Sequence, residues 1–274
     1  MSVRDAHALP IAAVVLTGGS SGIGKSFISH MAKLDPQMLI CNLSRRKPEC
    51  FSVELKLRHI ETDLSSIRSR RAGVKRVLEI FSEEAPKGRV LLINNAGLGA
   101  FGSFEEQEID AQLRLIEVNV AAILDLTASL MPVLSEREGT IMNAASIVAF
   151  QPTPYMSTYG ATKAFVLQWT YGLRRELRDT GVNVMAVCPG STFSEFHDHA
   201  GMSRGGLAEK MTQTADQVVT EAMAALRRGQ GHMVTGWFNK VQCAIAARLP
   251  LSWSIWLSGR VLARYRPLSG RSDV

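Results

Sequence analysis

Apolar residues along this chain keep two alternating rhythms. Solid runs, of which 12–16 is the first, read as strands buried on both faces. Between such runs, apolar residues recur every three or four positions, as Ile23, Phe27, Ile28 and Met31 do, and read as helices packed along one side. The pattern places strands over 12–17, 38–43, 58–61, 90–94, 140–144 and 183–187, with a short seventh near 232–235. Helices fall over 23–33, 67–83, 110–134, 158–179 and 215–228. This alternation implies an α/β fold with a doubly wound parallel sheet of about seven strands and right-handed crossovers. In such a sheet, ligands bind beyond the carboxyl ends of the strands.

The first strand runs into Thr17-Gly18-Gly19-Ser20-Ser21-Gly22-Ile23-Gly24, and a helical pattern follows. Glycines let a backbone approach a pyrophosphate, and the helix start offers free N–H groups and a positive dipole end. The glycine spacing is four then two, unlike the common G-x-G-x-x-G, so a purely structural turn stays open from this motif alone.

Tyr159 and Lys163 stand four residues apart, which stacks them on one helix face, and Ser146 lies 13 residues before Tyr159. An ammonium beside a phenol stabilises the phenolate, so the phenol is expected to titrate closer to neutrality than its usual value of about 10. With a serine hydroxyl nearby, this set suits reversible protonation of a carbonyl oxygen. No G-x-S-x-G elbow surrounds Ser146, which argues against a serine hydrolase.

These motifs, in this order, resemble the short-chain dehydrogenase/reductase family, in its compact single-domain branch. The matching stretch runs over 17–190, with Asp63 after the third strand, Asn94-Asn95-Ala96-Gly97, Asn119, Ser146, Tyr159 with Lys163, and Pro189-Gly190. The resemblance implies a Rossmann fold and a carbonyl–alcohol oxidoreductase. It makes Tyr159 the general acid/base and Ser146 a donor to the substrate oxygen. Lys163 would hold the nicotinamide ribose, and Asn119 would anchor a water leading from Lys163 to solvent. Gly18, Ser20, Ser21, Gly22, Ile23 and Gly24 would bind the pyrophosphate side. Asp63 and Leu64 would flank the adenine, Asn95, Ala96 and Gly97 the adenosine ribose, and Pro189, Gly190 and Thr192 the nicotinamide amide. Thr192 and Ser194 depart from the family's usual aliphatic residue and threonine there.

The second strand is followed by Ser44-Arg45-Arg46, with no acid to meet a ribose 2′-hydroxyl. Guanidinium groups suit a 2′-phosphate, so NADP(H) is favoured over NAD(H). A non-catalytic NADP(H)-binding regulator of the same fold is the alternative. An epimerase or dehydratase would need a longer substrate domain than the chain allows.

The 274 residues, 46% hydrophobic, fit one Rossmann domain over 1–236 with an amphipathic basic extension over 237–274 packed on it. The leader over 1–10 lacks signal-peptide features, and Cys41, Cys50, Cys188 and Cys243 show no paired spacing, so a cytoplasmic chain with reduced thiols is expected. His7, His30, His59, His197, His199 and His232 show no zinc spacing. The formal charge of +6 is uneven, with +7 from residue 227 onward and −1 before it, which disfavours a nucleic-acid surface.

Residues after Ser146 (Ile147, Val148, Ala149, Phe150) and after Gly190 (Phe193, Phe196) are apolar, pointing to a lipophilic carbonyl or alcohol substrate. In the extension, Trp237, Val241, Ile245 and Leu249 recur at helical spacing, and Trp253, Trp256, Leu257 and Val261 continue beyond Pro250 with Arg260, Arg264 and Arg266 alongside. Such helices can roof a pocket, join subunits or lie on a membrane surface through 237–266. The uncharged run 249–259 is too short to span a bilayer. A homo-dimer or tetramer is expected from the family resemblance, through the helices over 110–134 and 158–179.

Overall fold

The computed structural model describes residues 10–49, 55–84, 88–192 and 212–265. Seven strands form one parallel sheet: β1 (Ile11–Thr17), β2 (Leu39–Ser44), β3 (Leu57–Glu61), β4 (Arg89–Asn94), β5 (Thr140–Ala144), β6 (Asn183–Cys188) and β7 (His232–Val234). Their spatial order is β3-β2-β1-β4-β5-β6-β7, so the winding reverses between β1 and β4. Loops leaving those two strands diverge and open a crevice at their carboxyl ends.

Strand alternation divides the core. Ala13 and Val15 face one layer, where α2 (Ile67–Glu84) and α4 (Ala122–Glu136) bury Val77, Ile80, Leu126 and Leu130. Val14 and Leu16 face the other, filled by Phe27, Ile28 and Met31 of α1 (Gly22–Leu34) and Val218, Val219 and Ala222 of α6 (Ala215–Arg227). Among the described residues the remaining α-helices are α3 (Ile109–Ile116), α5 (Ser157–Glu176), α7 (Trp237–Ala246) and α8 (Leu251–Ala263).

Observed boundaries differ from the expected ones by at most three residues, with one internal difference. The helix expected over 110–134 contains a π turn, Glu117–Ala121, between α3 and α4. The whole segment Ile109–Glu136 is long and apolar enough to cross a membrane by length and composition. Its α4 part buries Ile123, Leu126, Leu130 and Leu134 in the layer under β4 and β5, while Ile109, Leu113 and Ile116 of α3 are exposed.

Candidate active site

Two loops make the crevice. At Gly18 and Gly22 the backbone takes φ +71° and +52°, a region that side chains disfavour. A Cβ on Gly24 would collide with Gly18 O, so α1 can start this close only with glycine there. Ser21 caps α1 without a side-chain hydrogen bond, and the first turn holds no acid, which leaves its amides turned to the crevice for an anion. Thr17 Oγ1 accepts from Asn95 N and Ala96 N, both at 3.0 Å, and Asn95 Nδ2 donates to Thr17 O at 3.0 Å. These bonds tie the glycine turn to the 95–97 loop.

A polar chain links the glycine turn to the arginine turn. Gly19 N donates to Asn42 Oδ1 at 2.8 Å, Asn42 Nδ2 donates to Ser44 Oγ at 2.8 Å, and Ser44 Oγ donates to Arg46 O at 2.7 Å. Arg45 and Arg46 are exposed beyond it. Asp63, on the same edge, accepts from Ser65 Oγ at 2.7 Å and Ser65 N at 3.0 Å, and these bonds hold its carboxyl below the usual range. Leu64 is buried, and its carbonyl accepts from Arg70 Nη1 at 2.7 Å. Arg70, itself 3% exposed, also pairs with Asp125 at 3.0 Å and Glu117 at 3.1 Å. One guanidinium thereby pins the loop after β3 to the π turn.

That turn carries Asn119, which is fully buried rather than on a helix surface. Its amide clamps Leu98, accepting from Leu98 N at 2.8 Å and donating to Leu98 O at 2.9 Å, and it donates to Thr162 Oγ1 at 3.1 Å. Thr162 Oγ1 donates to Tyr159 O at 2.7 Å, so Asn119 reaches the Tyr159 helix through one hydroxyl. Asn119 Oδ1 and Lys163 Nζ both flank Gly97, within 3.4 and 3.3 Å of where a Cβ would stand.

Ser146, Tyr159 and Lys163 are all buried together at the carboxyl end of β5. The Ser146 hydroxyl hydrogen-bonds the Tyr159 phenol. Lys163 Nζ lies 5.8 Å from the phenol ring centroid and donates to Ala144 O at 2.8 Å. The expected depression of the phenol is not what the structure gives. Burial pushes Tyr159 up to about 12, and the bond from Ser146 offsets only part of this. Burial likewise brings Lys163 down to about 8. Desolvation dominates both shifts, because both groups sit in the interior and the amine donates to a carbonyl.

The Ser146 loop is zipped to the strand end and turn that carry Pro189 and Gly190. Ala145 N donates to Val187 O at 2.8 Å and Ile147 N donates to Pro189 O at 3.0 Å. Gly190 abuts Asn239 of α7, whose Nδ2 and Oδ1 a Cβ would strike, and Thr192 Oγ1 donates to Gly190 O at 3.0 Å. Ser194, Phe193, Phe196, His197, His199, Cys50 and Arg266 lie outside the described residues. Cys41, Cys188 and Cys243 are free and buried, and burial raises each thiol.

The remaining sequence-derived site residues fall at the carboxyl ends of β1 to β6 or in the π turn and α5 that follow them. A glycine turn with open amides at the centre, arginines at one end and a buried Ser–Tyr–Lys set at the other suit an extended dinucleotide. Sequence reasoning missed Asn42, Arg70, Thr162 and Asn239. Asn42 had a readable signal, since a lone amide inside a buried strand must find partners.

The short chain dehydrogenase family model matches residues 12–203. The NADP-dependent 3-hydroxy acid dehydrogenase of Schizosaccharomyces pombe is 33% identical over 193 residues, covering 67% of this chain and 72% of its own. A short-chain dehydrogenase from Sphingobium yanoikuyae, solved in complex with NADPH, aligns with a TM-score of 0.70 at 26% identity over 96% of this chain and 99% of that one. A Burkholderia phymatum short chain dehydrogenase/reductase solved with NAD shares the fold, with a TM-score of 0.71 at 22% identity over 87% and 93% of the two chains. The chain belongs to the short chain dehydrogenase family and is an NAD(P)-dependent oxidoreductase.

Proposed function

We propose that the protein reduces a lipophilic ketone or aldehyde with NADPH, and runs the reverse oxidation, with Tyr159 as general acid/base. The observation that carries this reading is the buried Ser146–Tyr159 hydrogen bond with Lys163 beside it, at the carboxyl end of β5. A bound nicotinamide supplies the hydride. Ser146 donates a hydrogen bond to the carbonyl oxygen and so stabilises the charge that develops there. The neutral phenol then gives that oxygen its proton. A raised phenol keeps the proton donor loaded at every physiological pH, which suits reduction. Lys163, protonated below about 8, stabilises the phenolate left behind.

Two further choices belong to the same reading. Lipophilic substrates fit the apolar surroundings of Tyr159, where Leu98, Phe101, Val148 and Leu262 pack around Leu115 and Met156. NADP(H) fits the exposed Arg45 and Arg46 and the absence of an acid between residues 42 and 48. Replacing Arg45→Asp together with Arg46→Ala should weaken NADPH binding roughly 10- to 100-fold, the loss of charged hydrogen bonds to one phosphate. NADH binding should stay nearly constant. Fluorescence titration with both cofactors checks this, and parallel losses for the two would remove the 2′-phosphate assignment.

The catalytic unit spans 1–236 and the extension 237–274 packs on it, contacting a membrane surface peripherally while the enzyme stays cytoplasmic. Exposed Ile109, Leu113 and Ile116 on α3 and Phe165 on α5 offer a face for a second copy in a homo-dimer or tetramer. A non-catalytic regulator would not require the complete Ser146, Tyr159 and Lys163 set, so the catalytic reading is preferred.

A further inference from the structure

Helices α7 and α8 are inside out. Toward the domain they turn small or polar groups: Asn239 and Cys243 from α7, Ser254 and Ser258 from α8. Cys243 packs among apolar residues, and the other three find polar partners. Asn239 Nδ2 donates to Thr235 O at 2.8 Å, and Ser258 Oγ donates to Pro152 O at 2.9 Å. The apolar stripe seen in the sequence faces away from the protein. Trp237 is 75% exposed, Trp253 68% and Trp256 61%, with Val241, Ile245 and Leu257 beside them. A helix that meets water on its outer face has the opposite arrangement. A contiguous apolar face of this kind marks contact with something apolar.

Charge indicates what that is. Residues 237–265 hold Lys240, Arg248, Arg260 and Arg264 and no acid, and among the described residues Lys240 alone pairs with an acid of another helix, Glu221 of α6, at 3.7 Å. Arg260 stacks over the Trp256 ring with its Cζ 4.8 Å from the centroid, so cation and aromatic share one surface. A second copy meeting this face about a twofold axis would set basic residues against basic residues. A bilayer with anionic headgroups offers negative charge and an apolar layer at once, and tryptophan and arginine suit that boundary.

The same helix covers the active site. Ser254 and Ser258 bond the 151–152 backbone and side chain, Gly259 lies against Pro154, and Leu262 packs on the cluster of Leu115, Met156 and Tyr159. We propose that α7 and α8 seat the enzyme on an anionic bilayer, and that the carbonyl substrate reaches Tyr159 from the lipid side along α8. The substrate route rests on the oxidoreductase reading; the docking does not.

The full chain should be mixed with vesicles of phosphatidylcholine alone and of phosphatidylcholine with phosphatidylglycerol. Expected is at least ten-fold tighter co-sedimentation with the anionic vesicles, weakened by salt, with a blue shift of tryptophan emission. Arg260→Glu with Arg264→Glu should cut that binding ten-fold or more, each basic residue near the surface being worth roughly five-fold. Trp253→Ser with Trp256→Ser should cut it similarly, and both variants should keep parental NADPH affinity, which reports intact folding. Equal partition of the parent into both vesicle types, or none into either, overturns the docking. So does a lipid-free dimer that the tryptophan variant splits, which would make the occupant a second copy. A vesicle-embedded ketone should be reduced at least five-fold faster by the parent than by the tryptophan variant, while a water-soluble ketone shows no such gap; equal rates on the embedded ketone overturn the lipid route. Because docking is read without turnover, loss of the catalytic reading and loss of this one give different results.

Discussion

Tyr159→Phe should lower carbonyl reduction by about 10²–10⁴-fold, the usual contribution of a positioned acid or base. Only one oxygen is removed. The ring stays packed on Leu115 and Met156, and the Asn119–Thr162 clamp holds the backbone carbonyl rather than the hydroxyl. Stability should therefore change by about 1 kcal/mol, the net worth of the bond with Ser146. NADPH affinity should stay within a few-fold of the parent, since the glycine cradle and the arginine turn are remote from the change. Steady-state rates with a panel of ketones, paired with cofactor titration, check both halves. A fall in cofactor affinity equal to the fall in rate would make Tyr159 a binding residue instead.

Lys163→Met should lose activity and gain stability together. The amine is buried and desolvation brings it from 10.5 to about 8, so the fold bears the cost of a buried charge at neutral pH. A shift of that size corresponds to about 3 kcal/mol at most, and losing the bond to Ala144 O reduces the net gain to about 1–2 kcal/mol. Below pH about 8 the amine is protonated in both folded and unfolded chains, so the penalty is full. Between about 8 and 10.5 only the unfolded chain keeps the proton, and the penalty fades. The stability advantage of the variant should accordingly be largest at neutral pH and shrink through that window, as denaturant titrations at several pH values would register. Activity should fall roughly 10²-fold or more, because the phenolate loses its cation. In the parent, kcat/KM for reduction should be flat at neutral pH and decline above about 8 as Lys163 loses its proton. A variant both inactive and less stable would point to a packing role for the lysine.

The parallel sheet and the placing of the motifs at its strand ends were legible in the chain because buried parallel strands read as solid apolar runs and the motifs follow them directly. Asn119 illustrates the limit. Val118 and Val120 continue a plain helical pattern, so the π turn that buries the amide leaves no mark in periodicity. The phenol's acidity is hidden for a similar reason. Sequence spacing brings the ammonium near the ring but does not report burial, and burial is what raises the phenol. In α7 and α8 the stripe Trp237, Val241 and Ile245 was visible, yet periodicity defines a face without saying which way it points. Arg70 was hidden among the many charged residues of α2, and only its tertiary partners Asp125 and Glu117 distinguish it.

Tracing the label from NADPH deuterated at the transferring carbon tests the central claim most directly. With a lipophilic ketone, mass spectrometry should find a single deuterium on the carbinol carbon of the alcohol formed by the parent, and almost no labelled alcohol from Tyr159→Phe with the cofactor still bound. Labelled alcohol produced equally by both proteins, or unlabelled alcohol from the parent, would contradict the assignment of proton delivery to Tyr159 at a bound nicotinamide.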